Sequence, residues 1–213
     1  GGGTGLVGGQ ILPEGAKPVI LSLERMEKVR HIWPSENIIV AEAGVILKTI
    51  QELATSSDKI FPLSLASEGS ARIGGNLATN AGGVNVVKYG NMRDLCLGVE
   101  VVLPDGKVFN GLSRLRKDNT GYDLKNMFIG SEGTLGIITA ASLKLFTKPK
   151  SQAASFLVIK DPATAMELFE VCRDRLDDQI SAFELISKVG LDFINEVGPE
   201  VRMPFSDTPE WMV

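Results

Sequence analysis

Ile73-Gly74-Gly75-Asn76-Leu77-Ala78-Thr79-Asn80-Ala81-Gly82-Gly83 is the stretch on which the fold turns. A glycine pair stands at each end, and the residues between them suffice for one helical turn. Asn76 reads as its N-cap and Gly82 as its C-terminal stop. A turn this short gains little stability by itself. Its expected use is to aim main-chain N–H groups and a partial positive charge at an anion. Asn76, Thr79 and Asn80 would add side-chain hydrogen bonds. A polar turn between strands is the plain alternative.

Two more glycine segments flank it. Upstream, residues 1–9 read GGGTGLVGG, and Gly3 to Gly8 matches G-x-G-x-x-G. That pattern marks a nicotinamide-type dinucleotide fold only where a long helix follows at once. Pro13, Gly15 and Pro18 break any such helix. No Lys-Ser/Thr follows, which excludes a P-loop. What remains is an anion nest of accessible N–H groups, or a plain surface loop. Downstream, residues 130–138 read GSEGTLGII, three glycines running into a strand. Glu132, its only charge, would bond a ligand hydroxyl or ring, or satisfy loop N–H groups. Each segment alone fits an ordinary turn. All three, in order between β-rich stretches, point to one shared ligand carrying phosphates and a large flat group.

The intervening chain is mixed. Strands are expected at Val19-Ile20-Leu21, across Ile38-Ile39-Val40, at Leu97 to Leu103 and at Ile137 to Phe146. Pro104-Asp105-Gly106 turns the third of these into a hairpin with Lys107-Val108-Phe109. Ile46, Ile50, Leu53 and Ala54 recur at helical spacing within Val45–Ser57. A short helix after Thr120 and Asp123 would start on a capping box. Beyond Pro149 the pattern becomes strand, helix, strand, helix. Its strands are expected at Ala154–Ile159 and Ile180–Ile186. Asp161-Pro162 marks one helix start and Ser187 another. A domain boundary is expected near Lys148–Gln152.

Composition narrows the function. Of 23 glycines, 21 lie in residues 1–136 and 2 in residues 137–213, so unusual backbone geometry is concentrated early. Net charge is −4, and no Lys/Arg run forms a basic patch, which argues against nucleic acid. No apolar run reaches a membrane span of about 18 residues, and no signal peptide is visible. Two cysteines, Cys96 and Cys172, make no disulfide framework, so a reducing compartment is expected. The single histidine, His31, excludes a multi-histidine metal site within the chain. It reads as structural or solvent-facing. The start inside a glycine cluster without Met, and the end at Glu210-Trp211-Met212-Val213, read as a fragment cut at both ends.

GGGTGLVGG, IGGNLATNAGG and IGSEGTLGIIT, with DNTGYDL between the last two, together resemble one family closely. It is the FAD-binding domain of the flavin-linked D-2-hydroxyacid dehydrogenases, on the fold of p-cresol methylhydroxylase (PCMH type) and vanillyl-alcohol oxidase. D-lactate dehydrogenase, D-2-hydroxyglutarate dehydrogenase and the glycolate oxidase FAD subunit are its relatives. The resemblance implies an α+β fold: a two-subdomain PCMH-type FAD-binding domain over residues 1–150, lacking its first strand. Residues 151–213, with Ser181-Ala182-Phe183-Glu184-Leu185-Ile186, resemble the beginning of an α+β cap domain.

The resemblance also implies site residues. Gly2, Gly3, Thr4, Gly5, Leu6 and Gly8 would hold the FAD pyrophosphate. Pro62, Leu63, Gly69 and Ser70 would line the cofactor further along. So would Ile73, Gly74, Gly75, Asn76, Thr79, Asn80, Gly82 and Gly83. Glu132, Gly133, Gly136, Ile137 and Ile138 would contact it from the other side. The first loop offers Thr4 and no histidine, so FAD is expected to be non-covalent. Cys96 reads as a small core residue rather than an attachment point. Lys88 and Arg93 read as solvated loop charges rather than phosphate or carboxylate ligands.

The implied reaction is oxidation of a small D-2-hydroxy acid, lactate or 2-hydroxyglutarate, by hydride transfer to flavin N5. Electrons would pass to a quinone, cytochrome or flavoprotein. The catalytic base and any divalent metal ligands are expected in a C-terminal half outside this chain, and the isolated chain is expected to be inactive. The alternatives are a flavin-binding module without its own catalytic half, or an alcohol or sugar oxidase on the same fold. The expected location is cytoplasmic, at the periphery of a membrane, or the mitochondrial matrix in a eukaryote.

Overall fold

A computed structural model describes residues 1–213 except Pro13, Ala16 and Pro199. Pro13, invoked above as a helix breaker, thus lies outside the described residues. The chain divides into two compact units, Gly1–Asn85 with Tyr89–Lys148, and Val86–Lys88 with Pro149–Val213.

The elements run β1 (Val29–Trp33), β2 (Ile38–Glu42), α1 (Leu47–Thr55), β3 (Lys59–Ile60), α2 (Ile73–Ala78) and α3 (Val86–Tyr89). There follow β4 (Cys96–Val102), β5 (Val108–Asn110), α4 (Lys125–Phe128), β6 (Ile137–Lys144) and β7 (Phe146–Thr147). Five strands form one antiparallel sheet in the order β1-β2-β6-β4-β5. The β-branched run of β2 suits a central strand buried on both faces, and Ile38 to Ala41 are all buried. β6 is likewise buried on both faces, Ser142 included, so its alternation of Ala141 and Leu143 with Ser142 marks two packed faces. The β4–β5 hairpin turns where expected, with Gly106 in the left-handed region at φ +82°.

One face of the sheet carries the core. Ile39, Ala41, Val99, Val101, Ala141 and Leu143 pack with Leu47, Ile50 and Ala54 of α1 and with Ile73 and Leu77 of α2. Leu47, Ile50 and Ala54 recur at i, i+3 and i+7, one stripe of a helix. Truncating the fully buried Ile50 to alanine would cost about 2–5 kcal/mol. A polar staple ties four strands together. The Arg30 guanidinium donates two 3.0 Å bonds to the Glu100 carboxylate and one of 3.2 Å to Glu42. Thr139 Oγ1 adds a 2.7 Å bond to Glu100.

The second unit holds β8 (Val158–Ile159), α5 (Pro162–Leu176), β9 (Ile186–Ser187), α6 (Lys188–Val197) and β10 (Trp211–Met212), with sheet order β8-β10-β9. Asp161 caps α5: its Oδ1 accepts 2.8 Å bonds from the Thr164 N–H and hydroxyl, and Pro162 takes the first turn. Among the described residues no helix is long and apolar enough to cross a membrane.

Several local expectations are corrected. Val19-Ile20-Leu21 forms no strand. No described strand pairs with it, and Val19 is 96% exposed. The strands expected over 154–159 and 180–186 are replaced by the two-residue strands Val158–Ile159 and Ile186–Ser187, each paired with β10. Asn76 is not an N-cap. The helix begins three residues earlier, after Arg72, so that Ile73 and Leu77 both reach the core. The left-handed residue ending it is Asn80 (φ +48°), ahead of Gly82. Ser187 precedes α6 as expected but makes no side-chain capping bond. At α4, Asp123 accepts the Asn126 N–H at 3.3 Å, and Thr120 takes no part.

Candidate functional site

The three glycine segments meet. The end of α2 and the third segment are joined by two main-chain bonds, Gly130 N–H to the Leu77 carbonyl (3.0 Å) and Glu132 N–H to the Ala78 carbonyl (2.9 Å). The first segment crosses the same place. A Cβ on Gly75 would stand 2.9 Å from the Gly1 Cα, one on Gly2 would strike the Ser70 carbonyl, and one on Gly9 would stand 3.5 Å from a Glu132 carboxylate oxygen. A cleft of about 170 Å³ opens between them, where β6 begins. Gly74, Gly75, Glu132, Gly133, Gly136, Ile137 and Ile138 line it. Gly1, from the first segment, Leu21, Leu23 and Ala78 line it too. Sequence reasoning missed those four. The exposed apolar run that holds both leucines was the available signal.

The other candidate residues are distributed around this cleft. Gly2, Gly3, Gly5 and Leu6 are exposed, and no main-chain N–H from Gly2 to Val7 donates to another described residue. Those donors are therefore open to an anion. Gly3 and Gly8 take left-handed φ values of +68° and +80°. Thr4 and Gly8 are half-buried. Gly69 and Ser70 are exposed beside Gly2, and Gly82 is exposed further on. Pro62 and Leu63 are buried, and Leu63 belongs to the core. Gly83 packs on the Ser64 carbonyl. None of these lines the cleft.

The role expected of α2 is corrected in part. Its first N–H groups do not face an anion: Ile73 N–H donates to the Val45 carbonyl and Gly74 N–H to the Ala43 carbonyl. The Ile73 side chain lies wholly in the core. Gly74 is required by internal packing, since a Cβ there would lie 2.7 Å from the Ala43 Cβ. Thr79 Oγ1 bonds back to the Gly75 carbonyl at 3.0 Å. Asn76 is 5% exposed, and its Oδ1 has no hydrogen-bond partner among the described residues. An orphaned buried acceptor is costly unless something supplies a donor.

Arg93 is an exposed loop charge, as expected, but it also holds two segments together. Its guanidinium donates to the Ile129 carbonyl at 2.7 Å, and its N–H donates to Asn80 Oδ1 at 2.9 Å, so it bridges the second and third segments. His31 stacks on Trp33, with ring centroids 4.8 Å apart, on β1. Cys96 is buried in the core, and burial pushes its thiol pKa up to about 12. Among the described residues no group of three or more His, Cys, Asp or Glu side chains could hold a metal ion.

Three glycine-lined strips of main chain converging on one cleft match a known family. The FAD binding domain model matches residues 1–111. The chain belongs to the FAD-binding domain family. Its cofactor is FAD, and its fold is the expected α+β, PCMH-type fold. This FAD-binding chain is 42% identical to the mitochondrial D-2-hydroxyglutarate dehydrogenase of Danio rerio, over 100% of its own length and 39% of that protein. It is 37% identical to the D-2-hydroxyglutarate–pyruvate transhydrogenase of Saccharomyces cerevisiae, over 100% of its length and 42% of that one. A solved alkyldihydroxyacetonephosphate synthase matches with a TM-score of 0.61 at 25% identity, over 72% of this chain and 27% of that chain. The chain thus spans about two-fifths of the length of the curated relatives it matches.

The residues present fit the cofactor. The open N–H groups of the first loop suit a pyrophosphate, and Gly75, Gly133 and Gly136 let the main chain of the cleft approach a ligand closely. The cleft accommodates one portion of a dinucleotide, with exposed Gly69, Ser70 and Gly82 beyond it.

Proposed function

We propose that this chain is the FAD-holding part of an enzyme that oxidises a D-2-hydroxy acid, D-2-hydroxyglutarate first, to the 2-oxo acid. In this reading residues 1–150 form the FAD-binding domain and residues 151–213 begin the substrate-side cap domain. The observation that carries it is the convergence of the three glycine segments on one cleft in a chain 42% identical to a D-2-hydroxyglutarate dehydrogenase.

Bound FAD supplies the two-electron acceptor for the substrate's hydride. The chain's own residues bind and orient. The main-chain N–H groups of Gly2, Gly3, Thr4, Gly5 and Leu6, with Gly8 fixing the turn, hold the pyrophosphate. Glu132 and Gly133 contact the cofactor from the third segment, beside Gly136, Ile137 and Ile138. Gly69, Ser70, Gly75, Asn76, Thr79, Asn80, Gly82 and Gly83 line its path, with Pro62 and Leu63 supporting them from beneath. FAD is held without a covalent bond, since Thr4 offers no imidazole and the Cys96 thiol is buried. The base and any metal ligands lie outside these 213 residues. Electrons pass on to a quinone, cytochrome or flavoprotein acceptor, in the mitochondrial matrix where the source is eukaryotic.

The test is dye reduction by the full-length protein. D-2-hydroxyglutarate should bleach the flavin and drive a dye acceptor, and the L-enantiomer should not. Failure with both D-2-hydroxyglutarate and D-lactate would sink the reading.

A further inference from the structure

A second, larger cavity of about 650 Å³ lies in the same unit, away from the glycine cleft. Lys144, the last residue of β6, lines it, whereas the glycine cleft is lined by Ile137 and Ile138 at the start of that strand. β6 spans 8 residues, so its ends stand roughly 25 Å apart at ~3.3 Å per residue. The floor of the cavity is Cys96 and Leu97 of β4. Its wall is the long loop from Asn110 to Asn126, which includes the DNTGYDL stretch.

Four cations line it, Arg93, Arg116, Lys125 and Lys144. Lys144 is half-buried, and burial lowers its pKa most; neighbouring Arg116 and then Lys125 lower it further, against the opposing pull of Asp94. Three carboxylates share the cavity, but each is engaged by its own loop. Asp94 accepts the Asn91 N–H, Asp118 the Thr120 N–H, and Asp123 both Lys125 and Asn126. Lys125 is thereby paired with Asp123 at 2.7 Å and Arg93 donates to the Ile129 carbonyl, whereas the other two cations are less satisfied. Among the described residues the Lys144 ammonium donates only to the Asp94 carbonyl, and Arg116 makes one long 3.5 Å bond to the Leu145 carbonyl. Lys144 and Arg116 keep spare donors in a recess where each repels the other, and an anion bound between them would relieve that repulsion. The volume falls within the range of small-molecule sites, about 300–1,000 Å³.

We propose that this recess binds a small polyanion, a polycarboxylate or a phosphate ester, through Lys144 and Arg116 with Lys125 beside them. It is a site separate from the FAD cleft, and it does not depend on the substrate assigned above. The experiment is calorimetric titration of FAD-saturated protein at low ionic strength, with citrate in one arm and pyrophosphate in the other. One saturable site is expected, with affinity falling tenfold or more in Lys144→Gln and in Arg116→Gln. It should be unchanged in Lys107→Gln, whose ammonium is 80% exposed on the β4–β5 hairpin. A citrate preference assigns a polycarboxylate, and a pyrophosphate preference assigns a phosphate ester. Arg116 lies on an exposed loop, so its variant keeps the fold even if Lys144→Gln does not. No saturable binding, unchanged affinity in Arg116→Gln, or binding that FAD abolishes would each overturn the proposal.

Discussion

The main-chain N–H of Glu132 donates a 2.9 Å hydrogen bond to the carbonyl of Ala78, fastening the third glycine segment to the end of α2. Glu132 makes this bond from the left-handed region, at φ +52°, with its side chain exposed beside Gly9. Backbone and side chain therefore do different things. Glu132→Gly keeps the bond and relieves the conformation, so its melting midpoint should equal or exceed that of the parent. Its FAD affinity should fall if the carboxylate contacts the cofactor. Fluorescence titration beside a thermal melt separates the two effects. Unchanged affinity would return Glu132 to a purely local role.

Gly74 and Gly69 give a matched contrast. A Cβ on Gly74 would stand 2.7 Å from the Ala43 Cβ, whereas a Cβ on Gly69 meets nothing within 4 Å. Gly74→Ala should cost about 1–3 kcal/mol by overpacking α2 against the end of β2. Gly69→Val should leave urea stability unchanged while weakening FAD retention. Equal stability losses in both variants would contradict the packing account.

The Arg30 staple sets part of the acid limb of stability. The hydrogen bonds from Arg30 hold the Glu100 carboxyl below its ordinary range, against the opposing effect of burial. A carboxylate depressed in the folded state contributes stability that is full above its unfolded pKa. That contribution is lost as pH falls through the folded one. Glu100→Gln should therefore cost about 1.5–3 kcal/mol at pH 7 and progressively less towards pH 3. Urea unfolding at the two pH values checks the sign. A penalty that grows on acidification would contradict it.

The sequence showed the parts governed by local chemistry. The β-branched run of β2, the helical stripe of α1, the Pro104-Asp105-Gly106 hairpin and the Asp161-Pro162 cap all depend on near neighbours. What it concealed depends on distant partners. Val19-Ile20-Leu21 looks like a strand but has no described strand to pair with. Val158–Ile159 and Ile186–Ser187 pair with Trp211–Met212, far from either along the chain, so their bounds are not local. Asn76 looks like a cap, yet the pull of Ile73 and Leu77 into the core starts the helix before it. The main-chain donors of α2 looked available, and only the structure reveals that the carbonyls of Val45 and Ala43 take them. Arg93 is the exposed loop charge expected, but its tie to Ile129 is hidden because Ile129 lies 36 residues away.

The two thiols should differ in reactivity. Burial puts the Cys96 pKa at about 12, so almost no thiolate exists at pH 8, while Cys172 is only half-buried. A thiol reagent at pH 8 should label Cys172 in the native protein and Cys96 only after denaturation. Labelling of both in the native state would contradict the core placement of Cys96.

The central claim is that the open main chain of the first loop holds FAD, and Gly5→Val tests it most directly. A Cβ at Gly5 meets only the flexible amide of Gln10, so the fold should tolerate the change. FAD affinity, read by fluorescence titration, should fall tenfold or more while the melting midpoint stays within a degree or so of the parent's, since a surface substitution changes stability by only about 0.5 kcal/mol. Undiminished FAD affinity in a folded Gly5→Val protein would contradict the account.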